Sequence, residues 1–138
     1  MFYEIETYHY LIIHFPIALF ITGYLFDIIG VLKKEQLYES YGYISLNMGI
    51  FFGGLSIISG FITDRQIGHM DSIFPIWTTH GTHMILAILL FLSISIIRNL
   101  NSKGKMNISL RLILFFHGLI VLFFMHGAHI GAKLADRI

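Results

Sequence analysis

The chain contains no cysteine. That absence removes disulfides, thiolate metal sites, iron–sulfur clusters and covalently attached c-type haem together. Charge is also scarce: Asp, Glu, Lys and Arg make up 12% of the 138 residues, where a soluble domain carries about 25%. A water-facing shell cannot be built from so few charges. The formal net charge is +1, and the basic residues stand at the ends of apolar segments rather than in a patch, so a nucleic-acid partner is not expected. No Lys or Arg precedes Lys33, and Glu4 and Glu6 lie near the start. The basic n-region of a cleaved signal peptide is therefore missing, and the first apolar segment is expected to remain in place.

Hydrophobic residues make up 56% of the chain, and the mean hydropathy is +0.76. They fall in four blocks, about 11–32, 41–63, 78–97 and 110–130. Each is near the roughly 20 residues needed to span a bilayer. The expected fold is all-α: a four-transmembrane-helix bundle formed as one domain over 1–138 and set multi-pass in the cytoplasmic (inner) membrane. Lys33, Lys34, Arg98, Lys103, Lys105 and Arg111 occupy the first and third connections, whereas only Arg65, Lys133 and Arg137 lie in the other polar segments. The positive-inside rule then places both termini on the outer side.

Tyr8, His9 and Tyr10 suit the membrane interface at the start of helix 1, and Trp77 suits it before helix 3. Pro16 fits a first helical turn, or kinks a helix that begins near Thr7. Asp27 is the only acid well inside a span; reaching the inner interface or pairing with Lys33 or Lys34 is the expected solution for it, ahead of a proton-handling role. Ser45, Gly49, Gly53, Ser56 and Gly60 form one stripe of small residues on helix 2. Such a stripe permits close helix packing, or clears room for a flat cofactor. Thr78 or Thr79 can cap helix 3. The segment 99–109 is polar and reads as a loop without chemistry.

The histidines are the candidate functional residues. His14, His83 and His126 each lie about six residues inside the expected outer boundary, roughly 9 Å deep, and His80 and His129 lie one turn shallower. His80 shares a helix face with His83, as His126 does with His129. His117 falls on the opposite side of helix 4 from His126 and is read as a separate, hydrogen-bonded residue. Three helices thus carry imidazoles at one level. Two chemistries suit that pattern: axial ligation of one or two b-type haems, with His83 and His126 as the first pair and His14, His80 and His129 in reserve, or a copper or zinc site on His14, His83 and His126. Arg65, Lys133 and Arg137 lie where haem propionates would reach. Met84 and Met125 flank two of the histidines, although methionine in an apolar helix is ordinarily packing. Glu is absent from all four apolar blocks, so hydrolase and di-iron chemistry are disfavoured.

His14-Phe15-Pro16-Ile17-Ala18-Leu19, Ser59-Gly60-Phe61-Ile62-Thr63-Asp64, His80-Gly81-Thr82-His83 with Arg98, and Gly127-Ala128-His129-Ile130-Gly131-Ala132-Lys133-Leu134 span nearly the whole chain. With these segments the chain resembles a domain-of-unknown-function family of small four-helix membrane proteins whose first helix opens with H-F-P-I-A-L. The resemblance implies the fold and the membrane setting, and no activity.

The expected function is that of a membrane b-type haem protein, more an electron-transfer protein or complex subunit than a stand-alone enzyme. It would carry electrons between a quinol or protein partner and an outer-side acceptor, with the lipid bilayer around it. The alternatives are non-haem copper or zinc binding, and a cofactor-free structural or assembly subunit of a larger membrane complex.

Overall fold

The computed structural model describes residues 5–67 and 79–134. Four α-helices account for nearly all of them: α1 (Ile5–Lys33), α2 (Gln36–Ile67), α3 (His80–Ser102) and α4 (Leu110–Leu134). Each is long and apolar enough to cross a membrane. The helices overrun the apolar blocks because backbone hydrogen bonding continues through the polar ends, where hydropathy alone sees no span. α1 runs through Pro16 rather than starting beside it. The proline deprives the Ile12 carbonyl of its helical donor, and its own ring is fully buried.

Two tight turns fix the antiparallel arrangement. After α1, Lys34 adopts a left-handed backbone (φ 58°), and the Glu35 N–H returns to the Gly30 carbonyl at 3.1 Å. After α3, Gly104 is left-handed (φ 68°), and the Asn101 side chain clasps both the N–H and the carbonyl of Ile108. Thr79 is the N-cap residue of α3 without a side-chain capping bond, and its carbonyl accepts from the His83 N–H at 3.1 Å.

Contacts run α1–α2, α2–α3, α3–α4 and α4–α1, which closes the four helices into a ring. α1 and α2 approach most closely. A Cβ on Gly42 would lie 2.9 Å from the Gly23 carbonyl oxygen, so only a hydrogen fits between the two backbones there. Halfway along the bundle, Phe20, Phe91 and Phe124 fill the axis, with Phe20 stacked on Phe91 at 3.7 Å and edge-on to Phe124 at 5.1 Å. Outward-facing residues such as Phe15, Phe51, Leu89 and Leu122 are exposed. These are the side chains that meet lipid. The aromatic layer divides the interior into an end that carries α1's start and α4's finish, here the terminal end, and an opposite basic end.

Candidate functional site

The buried face of α1 repeats at alternating steps of four and three residues, through Pro16, Phe20, Gly23, Asp27 and Gly30. That period is the signature of helices wound into a left-handed bundle. Continued toward the terminal end, the same face carries Ile13 and His9. His9, expected at the interface, instead turns inward.

At the terminal end the α1–α2 and α3–α4 hairpins leave a cavity of about 340 Å³ between them. That volume lies at the lower end of the range for small-molecule sites. His9 and His80 line it from α1 and α3, and Gly53, Ser56, Gly60, Ala128, Gly131 and Ala132 supply small walls on α2 and α4. Gly131 is required where it stands, whereas Gly60 leaves ordinary contact room. A Cβ on Gly131 would come within 2.5 Å of the His80 ring, and one on Gly60 would sit 3.4 Å from the His9 ring. On the α2 stripe, Gly49 and Gly53 admit Phe20 and Ile88 in the core, while Gly60 stands at the cavity wall.

His9 and His80 are each held as one tautomer. The His80 Nδ1–H donates to the Gly127 carbonyl at 2.9 Å. A carbonyl can only accept, so the lone pair of His80 resides on Nε2. The Ser59 hydroxyl donates to the Ser56 carbonyl, so it accepts from the His9 Nδ1–H at 2.9 Å. Nε2 is then the lone-pair nitrogen of His9 as well. Fixing one ring nitrogen by a hydrogen bond to orient the other is how proteins prepare a histidine ligand.

The remaining sequence candidates are arranged otherwise. His83 is fully buried, donates through Nε2 to the Phe123 carbonyl at 2.8 Å and lies flat on the Phe123 ring at 3.8 Å. Its Nδ1 is buried without a partner, and the residue does not line the cavity. His14 is exposed and donates through Nδ1 to the Tyr10 carbonyl of its own helix, although its side chain reaches the cavity rim. His126 and His129 are exposed on α4. The expected axial pair therefore does not face across an open space: the His83 and His126 rings sit tilted at 5.4 Å. Nor do His14, His83 and His126 assemble a copper or zinc site. Among the described residues no group of three or more metal-ligating side chains is placed to hold an ion.

The reason lies in the rotation of α4. Its buried stripe runs through Ile113, His117, Val121, Phe124 and Gly127. His117 and His126 are indeed on opposite sides, but it is His117 that faces inward. His69, Trp77, Thr78, Arg137 and the side chain of Arg65 fall outside the described residues, while Lys133 is exposed at the terminal end.

Below the aromatic layer lies a second polar site. Asp27 on α1 accepts at Oδ2 from Arg98 of α3 and from His117 Nδ1–H of α4 at 3.1 Å. Arg98 also donates to the Glu39 carbonyl of α2 at 2.9 Å. Asp27 thus pairs with Arg98 rather than with Lys33 or Lys34, which remain exposed at the helix end. Burial makes an in-bundle guanidinium the better partner than a lysine that must stay wet. Close packing seats the carboxylate: a Cβ on Gly42 would overlap Asp27 Oδ1.

These features define a small four-helix membrane bundle with an imidazole-lined cavity at one end and a buried charge cluster at the other. The chain belongs to the DUF2231 family of predicted membrane proteins, whose family model matches residues 6–138. No curated protein and no solved structure matches it.

Proposed function

We propose that this chain is a b-type haem protein of the membrane, carrying electrons between a quinol or protein donor and an acceptor at the terminal end. His9 and His80 would hold the haem in the terminal-end cavity. The observation that carries this reading is the matched tautomer of the two histidines: each has Nδ1 committed to a protein acceptor, and both line one cavity between separate hairpins. The donor set and the surroundings fit the group. Two neutral imidazoles are the ligands of a low-spin haem iron, and apolar walls with glycine at close approach suit a flat macrocycle.

When bound, haem supplies one-electron transfer. The chain's residues do the rest. Ser59 and the Gly127 carbonyl hold the two rings in register, and Gly60 and Gly131 keep the space beside them open. Ile17, Ile57, Ile85 and Ile88 exclude water from the deep wall of the cavity. Dry, neutral surroundings favour the less charged state of a bound redox group.

The test is an absorption spectrum of the detergent-purified protein, oxidised and then reduced with dithionite, after expression with haem supply. The expected result is a Soret band that sharpens with α and β bands on reduction. It should be lost in His9→Ala and in His80→Ala and retained in His126→Ala. A colourless protein overturns the haem reading; colour that survives both His9→Ala and His80→Ala overturns the ligand assignment.

A further inference from the structure

The basic-end cluster contains three side chains that a bilayer interior tolerates only at a cost, and two of their atoms are conspicuously unused. Asp27 is 2% exposed and His117 0% exposed. Both Asp27 Oδ1 and His117 Nε2 are buried without a hydrogen-bond partner. A buried ion pair of Asp27 with Arg98 is by itself weak support for stability, because desolvation offsets most of the attraction. An apolar triplet would pack here at less cost.

The hydrogen bonds fix where protons are. Arg98 cannot lose its proton, and it donates to the same carboxylate oxygen that receives the His117 Nδ1–H. Paired with Arg98 as a carboxylate, Asp27 can only accept, so the His117 Nδ1–H donates and the lone pair of His117 is on Nε2. That nitrogen is a base with a carboxylate behind it. This differs in kind from His80, whose second nitrogen is held by a neutral carbonyl.

We propose that His117 is a proton-binding site within the membrane, Asp27 being its fixed counter-charge. One proton adds to Nε2, giving an imidazolium that keeps its Nδ1–H bond to Asp27, with no bond broken elsewhere. The groups facing His117 favour this. α1 offers the Asp27 carboxylate and the Tyr24 ring, edge-to-face at 5.4 Å, and α3 offers Phe91 at 5.8 Å. Among the described residues, the cation at Asp27 is Arg98. It is engaged by Asp27 and by the Glu39 carbonyl of α2 and lies over the Tyr43 ring at 5.3 Å. On α4 itself, Arg111 is exposed, more than a turn nearer the basic end.

A proton held on His117 offsets an electron held in the cavity beyond the Phe20–Phe91–Phe124 layer. That coupling rests on the haem reading, whereas the proton site does not.

Nitrogen-15 NMR of the histidine-labelled full chain in lipid nanodiscs tests the site on the native sequence, the His117 signals being identified by their loss in His117→Gln. We expect Nδ1 to stay protonated throughout while Nε2 passes from bare to protonated as the pH is lowered. In Asp27→Asn that passage should move to lower pH. An Nε2 that remains bare over the whole range, or is protonated throughout, overturns the proposal. So does a titration that Asp27→Asn leaves in place. If the cavity binds haem, its midpoint potential should lose pH dependence in His117→Gln. An unchanged pH dependence overturns the coupling alone.

Discussion

The two ends of the bundle use the same side chain in opposite ways. At the terminal end, His9 and His80 give their Nδ1–H to a serine hydroxyl and a backbone carbonyl, both neutral. At the basic end, His117 gives its Nδ1–H to a carboxylate. A neutral acceptor orients an imidazole without adding charge, and so suits a ligand that must remain unprotonated. A carboxylate stabilises the imidazolium and makes the opposite nitrogen a stronger base. The surroundings follow suit: open space and small residues around the first pair, a dense cluster reaching all four helices around the second.

The sharpest way to break this contrast is to remove the charge that defines one side of it. Asp27→Leu leaves Arg98 buried without its counter-ion, and the loss of stability should be about 3–5 kcal/mol, read from reversible unfolding in mixed detergent. Pairing it with Arg98→Leu should recover much of that loss; no recovery would mean that the ion pair is not what the site depends on. Gly42→Ala is next. Its methyl group would collide with the Asp27 carboxylate, and overpacking of that kind costs about 1–3 kcal/mol. By contrast, a Cβ on Gly54 meets nothing within 4 Å, so Gly54→Ala should bring no loss of stability and, in a helix interior, a gain of up to about 1 kcal/mol.

Gly131→Ala probes the other end. It drives a methyl group into the His80 ring, which can yield into the cavity, so the expected stability loss is smaller, about 1 kcal/mol. Its main effect should instead be on the haem spectrum, with the Soret band weakened or lost. A full spectrum in Gly131→Ala would show that ligand binding does not need the His80 position seen here. The smallest effect belongs to a position outside both sites. Lys34 holds a left-handed backbone, a conformation that costs a side chain about 1 kcal/mol. Lys34→Gly should raise stability by up to that amount and leave the spectrum untouched.

The fold was legible in the sequence because a bilayer imposes it: four apolar blocks of the right length admit little else. The sites were legible only in part, because hydropathy places a residue in depth but not in rotation. Depth led to His14, His83 and His126, yet two of these three are exposed and the third is sealed against Phe123. The missing signal was the alternation of four and three residues. Read back from Asp27 through Gly23, Phe20 and Pro16, it reaches His9 and passes over His14. On α2 the same steps lead from Gly42 through Leu46, Gly49, Gly53 and Ser56 to Gly60. On α4 they run through His117, Phe124 and Gly131 and leave His126 and His129 outside. Asp27's partner could not have been found this way, since nothing local ties it to Arg98, 71 residues away.

Because Asp27 on the first helix waits for an arginine on the third, the order of synthesis acquires a cost. A nascent chain that has inserted only α1 and α2 holds an acid among apolar side chains with no counter-ion. The pair is completed only when α3 has emerged far enough to bring in Arg98. The closing of the two hairpins on each other thereby supplies the missing charge, and a chain cut short before Arg98 is left with one carboxyl group uncompensated.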